Sequence, residues 1–198
     1  QTAGTFTATV GTVRFLLDGD SNQTYTVDPN GNIVCNNVDV RAFGSTAGSS
    51  SFKINGGEFV QANGTLKFGH FGAATANVRM NSGNFRAYGD VEAEVGAIVS
   101  GGVTGGTVIL MGAVNQNYGG AGVLPNLQVN KSAASALPST ANVQAYGFNL
   151  VAGTFTAPTG NFDLLPGQSS TTLQRSGGTF NHNNGTFRII RTAMTSSE

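Results

Sequence analysis

A repeated motif, G-x-F-x-x-x-x-G-x-Φ-x-Φ with Φ apolar, constrains the fold of this chain more than any other feature of its sequence. Weaker Gly-x-apolar starts at Gly31, Gly83 and Gly106 continue the series at a spacing of about 25 residues. A repeat of this length is typical of stacked structural units. The whole chain, 1–198, is therefore predicted to be one repeat domain of about eight coils, with one degenerate unit near 127–129. The uninterrupted copies start at Gly4, Gly57, Gly153 and Gly178, and their second glycines are Gly11, Gly64, Gly160 and Gly185.

Each unit has the residue pattern of β-strands. Short runs rich in Val, Ile, Thr and Phe alternate apolar and polar positions and end at Gly, Asn or Pro. No stretch shows a helical period with capping residues, and 131–137 is the one candidate for a short helical turn. The chain is predicted to be all-β.

Two all-β architectures are compatible with this period. In a parallel β-solenoid (β-helix), each unit forms one coil and successive coils stack about 4.8 Å apart. In an antiparallel β-sandwich or jelly roll, each unit forms a hairpin, and Asn63-Gly64 and Asn184-Gly185 are typical of tight hairpin turns. Turn chemistry alone favours the sandwich.

The placement of charges favours the solenoid. Stacking in register brings residues one period apart into lateral contact, where opposite charges attract and like charges repel. In three cases, the residue 25 positions after a charged residue carries the opposite charge. These pairs are Arg14 with Asp39, Lys67 with Glu92, and Asp163 with Arg188.

Composition excludes several classes of partner. Charged residues make up 10% of the chain and its formal net charge is zero, so it lacks the clustered Lys and Arg that nucleic acids require. No apolar run is long enough to span a membrane as a helix. The single cysteine, Cys35, cannot form an internal disulfide and is expected to be a small buried residue of a strand.

Catalytic motifs are missing from the sequence, so we expect no enzyme activity. The histidines, His70 and His182, lie in no hydrolase, metalloprotease or phosphate-binding motif. Asp90, Glu92 and Glu94 alternate with apolar residues and should line one face of a strand. We interpret this acidic row as a solvated face bridged to Lys67. A catalytic or cation-binding row, as in a polysaccharide-cleaving β-helix, is the alternative.

One loop has the residues of a calcium site. Asp18, Asp20 and Asn22, followed by Asp28, place oxygen ligands at alternate positions of a tight turn, which suits Ca²⁺. These four residues are called the candidate calcium loop below. Gln23 and Pro29 stand where an EF-hand loop needs its turn glycine and its bidentate glutamate, so an ordinary Asp/Gly/Asn turn is the alternative. We expect no cofactor, and calcium bound at this loop is the alternative.

The strings GTFTATVGTVRF and GGTFNHNNGTFRII, with the segments NQTY and LPNLQVNK, carry a resemblance. They resemble repeats of large bacterial extracellular adhesin-like and filamentous-haemagglutinin-like proteins. The resemblance implies a β-solenoid with an attachment, matrix or filament role, and it adds no catalytic residue.

Two functions follow as expectations. The first is an extracellular or cell-surface structural subunit that polymerises with copies of itself through the strand edges at its ends. The second is an adhesive or carbohydrate-binding module of a larger surface protein, which recognises cell-surface glycans through Asn, Thr and Tyr side chains. Because the chain starts at Gln1, without Met or a signal segment, we expect a processed form or a piece of a longer protein.

Overall fold

The computed structural model describes residues 4–18, 24–27, 31–43, 49–55, 57–71, 77–95, 106–165 and 173–190. Within these ranges the chain forms strands and turns and no helix, which confirms the all-β prediction. The strands are β1 (Phe6–Asp18), β2 (Thr24–Val27), β3 (Ile33–Phe43), β4 (Ser49–Ile54), β5 (Phe59–Ala62), β6 (Leu66–Phe71), β7 (Asn77–Ser82), β8 (Asn84–Ala87), β9 (Val91–Ala93), β10 (Thr107–Leu110), β11 (Gln116–Gly119), β12 (Val123–Pro138), β13 (Val143–Thr156), β14 (Asn161–Leu164), β15 (Leu173–Arg175), β16 (Thr179–Asn181) and β17 (Thr186–Ile189).

The strand pairing is that of a parallel β-solenoid. One sheet contains 14 strands and a second contains β2, β4 and β7. The observed pairs are parallel and join strands of successive coils, as in β1 with β3 and β3 with β6. Parallel neighbours need a crossover rather than a hairpin. The solenoid prediction is therefore confirmed, with coils of about 25 residues and about six turns where the sequence suggested eight.

The Asn-Gly dipeptides turn the chain at corners of the coil and not in hairpins. Asn183 and Asn184 have φ values of 52° and 57°, in the left-handed region that favours asparagine and glycine. The strand that follows, β17, then pairs in parallel with β14 of the preceding coil. A corner of a solenoid and a tight hairpin need the same backbone conformation, which is why these dipeptides did not discriminate between them.

All three predicted charge pairs occur at neighbouring positions of the ladder. Arg14 is aligned with Asp39, Lys67 with Glu92, and Asp163 with Arg188. The coil length nevertheless varies along the solenoid, for example 28 residues between Val38 and Leu66 but 19 between Val108 and Leu127.

Side-chain oxygens of Asn and Asp connect consecutive coils at the corners. Asn37 accepts a hydrogen bond from the backbone N–H of Thr65 at 2.8 Å, and Asn142 accepts one from Asn161 at 2.9 Å. Corners interrupt the regular ladder and leave backbone donors that need other partners. The abundant asparagines thus continue the hydrogen bonding between coils where the strands stop.

The interior is filled by aligned rows of apolar side chains. In one row, Val38, Leu66, Val91 and Tyr118 occupy successive coils, and each is at most 1% exposed. The aromatic rings form two stacks. The first contains Phe15, Phe52, Phe68 and Phe85, and the second contains Tyr118, Phe148, Phe155, Phe162, Phe180 and Phe187. Among the described residues, no close ring pair joins the two stacks.

The helical turn expected at 131–137 is wrong, because this segment belongs to β12. Ala134 has φ of 60°, and the register with β13 shifts between Asn130 and Ser135. The segment is therefore a bulged strand. Pairing with neighbouring coils outweighs the modest helix preference of its small residues.

Candidate functional site

A ladder of alternating charges on the outer surface is the most organised group of polar side chains among the described residues. Arg14, Asp39, Lys67 and Glu92 occupy one row across four successive coils. Arg14 Nε lies 2.9 Å from Asp39 Oδ2, and Lys67 Nζ lies 2.7 Å from Glu92 Oε2. The hydrogen bond to Glu92 raises the pKa of Lys67. Alternation places every charge beside an opposite one.

Arg41 connects this ladder to a second row. Its Nε donates to both oxygens of Asp39 at 2.8 and 2.9 Å, and its two terminal nitrogens donate to Glu94 at 2.9 and 2.7 Å. Its guanidinium also lies 4.8 Å from the ring centroid of Phe71. The bonds to Glu94, above all, raise the pKa of Arg41. Such paired geometry is the strong form of an arginine–carboxylate contact.

Gly69 makes the bridge from Arg41 to Glu94 possible. Arg41 is aligned with Gly69, and Glu94 follows on the next coil, so the ion pair spans two coils. A Cβ atom at Gly69 would lie 2.5 Å from Glu94 Oε2 and 2.9 Å from Arg41 Nη1. The missing side chain leaves the space that the guanidinium needs.

The predicted acidic row is engaged in contacts between coils. Glu92 binds Lys67 as expected, and Glu94 binds Arg41. Asp90 accepts hydrogen bonds from the backbone N–H of Asn117 at 2.7 Å and from its side-chain amide at 3.2 Å. The bridge to Lys67 is confirmed, and every carboxylate of the row has a structural partner.

A separate ion pair stabilises the last described coil. Arg188 Nε and Nη2 donate to the two oxygens of Asp163 at 2.7 and 2.8 Å. Asp163 is 6% exposed. Its pKa is lowered, chiefly by the hydrogen bond from Arg188.

Only one member of the candidate calcium loop is described. Asp18 ends β1, and its backbone N–H donates to the Tyr25 hydroxyl at 3.2 Å. Asp20, Asn22 and Asp28 lie outside the described residues. Across the described ranges, no three His, Cys, Asp or Glu residues are grouped so as to hold a metal ion. The calcium site stays a prediction.

Cys35 was predicted from the sequence to be a small buried residue, and the two histidines were found in no catalytic motif. Cys35 is free and buried, and burial raises the pKa of its thiol. His182 lies at an exposed position after β16. His70 lies within β6, and its Nδ1 is buried without a hydrogen-bond partner among the described residues.

A buried polar contact was missed by sequence reasoning. Lys131, only 1% exposed, donates from Nζ to Gln116 Oε1 at 3.0 Å and to the Met111 carbonyl at 3.2 Å. Gln116 in turn donates to the carbonyls of Ala87 and Gly89. Burial lowers the pKa of Lys131. The contacts join segments 15 to 29 residues apart, a span that local patterns do not reveal.

Both end coils present open strand edges within the described structure. At one end, β1 pairs with β3 on one side only. At the other end, β15 and β16 pair with β13, and β17 pairs with β14. Large apolar side chains are exposed on these coils. They are Phe6, Val10 and Leu16 at the first end, and Leu173 and Ile189 at the second.

Comparison with family models, with curated proteins and with solved structures finds no match for the chain. No helix long and apolar enough to cross a membrane occurs in the parts of the chain that the structure describes.

Proposed function

We propose that the protein is a non-catalytic extracellular structural subunit that assembles with copies of itself into a filament, sheath or matrix fibre. The open edges of the two end coils are the main support for this proposal. Each edge presents a row of unpaired backbone N–H and C=O groups, and such a row can pair with a strand of another molecule. The exposed apolar side chains on these coils would be buried by such a contact.

A second copy is the occupant that fits these edges. Both ends are built from the same repeat, Gly4-Thr-Phe6 at one end and Gly178-Thr-Phe180 at the other. In the last coils the copies already stack in register, with Phe155 aligned to Phe180. Stacking Phe6 of the next molecule onto Phe180 would continue the same row.

Electrostatic repulsion should affect how readily this junction between molecules forms. In the continued register, Arg188 of one molecule would lie beside Arg14 of the next, and both side chains are about half exposed, at 47% and 49%. Their repulsion is screened by salt. We therefore expect assembly to increase with ionic strength.

An outward-facing backbone donor allows a clean test. The Phe6 N–H donates inward to the Asn32 carbonyl at 3.0 Å, so in a parallel ladder the N–H of exposed Thr7 faces the open edge. Thr7→Pro removes this edge donor while sparing the pairing with β3. Thr7→Ala is the matched control.

Assembly is measured by size-exclusion chromatography and electron microscopy over a concentration series in 50 and 500 mM NaCl. We expect ordered polymers of the natural chain and of Thr7→Ala, more abundant at high salt, and monomers of Thr7→Pro. A natural chain that stays monomeric under all conditions would overturn the proposal. Polymers of Thr7→Pro as abundant as those of the control would reject β1 as the contact.

A further inference from the structure

A shallow groove lined by neutral polar side chains crosses the second half of the solenoid. Its volume is about 150 Å³, and it lies on the outer face of β10, β12, β13 and β15. The polar lining side chains are Thr107, Asn126, Gln128, Asn149 and Gln174, with Gly147 among them. Leu127 and Phe148 also border the groove, but both are buried in the core and offer it no exposed face. This set is called the amide groove.

The amides form two rows because alternate residues of a strand face the same side. Asn126 and Gly147 are aligned in one row. Gln128, Asn149 and Gln174 are aligned in the other, across three successive coils. Neighbouring amides along this row are therefore about 4.8 Å apart.

Unused hydrogen-bonding capacity distinguishes Asn149 in the groove from three other amides that the structure describes. Asn37 and Asn142 bind backbone donors of the next coil, and Gln116 binds two carbonyls. In the groove, Asn149 Oδ1 is buried and has no partner among the described residues. A buried acceptor without a donor costs free energy that a bound hydroxyl would offset.

We propose that the amide groove binds a neutral polysaccharide chain. Each primary amide offers one acceptor oxygen and two donor hydrogens, which match sugar hydroxyls that both donate and accept. No charged side chain lines the groove, so it offers nothing that selects an anionic glycan. Gln174, which is aligned with Asn149, is exposed, so this end of the amide row faces solvent.

Gly147 keeps the groove open. Its backbone lies outside the left-handed region, so a larger residue can adopt the same conformation. A Cβ atom there would lie 2.6 Å from Asn126 Oδ1, which is the movable end of a side chain. Gly147→Val therefore fills the groove and leaves the strand pairing intact.

Binding is shallow and lacks an aromatic platform, so we expect a Kd on the order of 1 mM for a single short segment. Long polymers bind more tightly because several molecules or segments engage together. The groove reaches the open edge of the last coil through Gln174 alone, whereas Gly147 and Asn149, the residues changed in its test, lie on β13, which is not an edge strand.

Affinity electrophoresis tests the inference with dextran, mannan and hydroxyethyl cellulose as neutral probes and alginate as the anionic probe. We expect at least one neutral probe to retard the natural chain, and Gly147→Val and Asn149→Ala each to lose at least 80% of that retardation. Gln61→Ala is the control, because Gln61 faces outward on the distant strand β5 and bonds to Asn63.

Circular dichroism melts show whether each variant is folded. Retardation by no neutral probe, or by alginate alone, would overturn the inference. So would retardation that persists in folded Gly147→Val and Asn149→Ala. An equal loss in Gln61→Ala would place the binding surface elsewhere.

Discussion

Replacing Asp39 with asparagine tests how much the charged ladder stabilises the solenoid. Asp39 is 4% exposed and accepts hydrogen bonds from both Arg14 and Arg41. Asparagine has the same size but loses the charge and replaces one acceptor oxygen with a donor. Hydrogen bonds to charged groups contribute about 1.5–3 kcal/mol each.

The expected loss is smaller than the sum of these bonds. Arg14 is half exposed and is hydrated once Asp39 is neutral, and Arg41 keeps its two bonds to Glu94. We therefore expect Asp39→Asn to lower the free energy of unfolding by about 2 kcal/mol. For a chain of this length, the melting temperature should fall by about 4–8 °C.

Glu92→Gln is the matched control on the same row of the ladder. Glu92 and Lys67 are 45% and 39% exposed, and exposed pairs contribute about 0–1 kcal/mol. Urea and thermal unfolding, followed by circular dichroism in 50 mM and 1 M NaCl, measure both variants. High salt should remove the small loss of stability in Glu92→Gln and leave most of the larger loss in Asp39→Asn. Equal losses in the two variants, or a loss under 0.5 kcal/mol for Asp39→Asn, would refute the reasoning.

Further predictions concern the interior, one corner glycine and calcium. Burial lowers the pKa of Lys131 below its ordinary 10.5. Between the lowered pKa and 10.5, the unfolded chain binds more protons than the folded chain, so the free energy of unfolding should rise with pH in this range. Lys131→Met should flatten this rise below pH 10.5 in urea unfolding, whereas Lys53→Met should keep it. Gly83→Ala should lower the free energy of unfolding by about 2–3 kcal/mol, since φ of Gly83 is 92° and a Cβ atom would overlap Ile54. Gly57→Ala is the control and should cost under about 0.5 kcal/mol, because there is open space around Gly57. Equal melting temperatures of the two variants would contradict this prediction. If the candidate calcium loop binds, 1 mM CaCl₂ should raise the melting temperature relative to EDTA, and Asp18→Asn should abolish the shift.

The sequence predicted the parallel stacking because lateral contacts repeat once per coil. Arg14 and Asp39, like Asp163 and Arg188, are one regular coil apart, so adding the period found both pairs. The repeat, the all-β class and the buried Cys35 follow from equally regular patterns.

Contacts that depart from the period could not be predicted. Arg41 and Glu94 are 53 residues apart and meet across two coils, over a glycine on the middle one. Lys131 and Gln116 are only 15 residues apart, because the coils shorten in this region. The number of turns was also overestimated, at about eight from the repeat spacing against about six in the structure.

The polar contact between Lys131 and Gln116 has a mechanical consequence. It lies where the first aromatic stack has ended at Phe85 and the second begins at Tyr118. In a solenoid most contacts of a coil are with its neighbours, so resistance to tension is local. When the solenoid is stretched along its axis, it should unfold first at this boundary, and the parts that contain the two aromatic stacks should then unfold in separate steps.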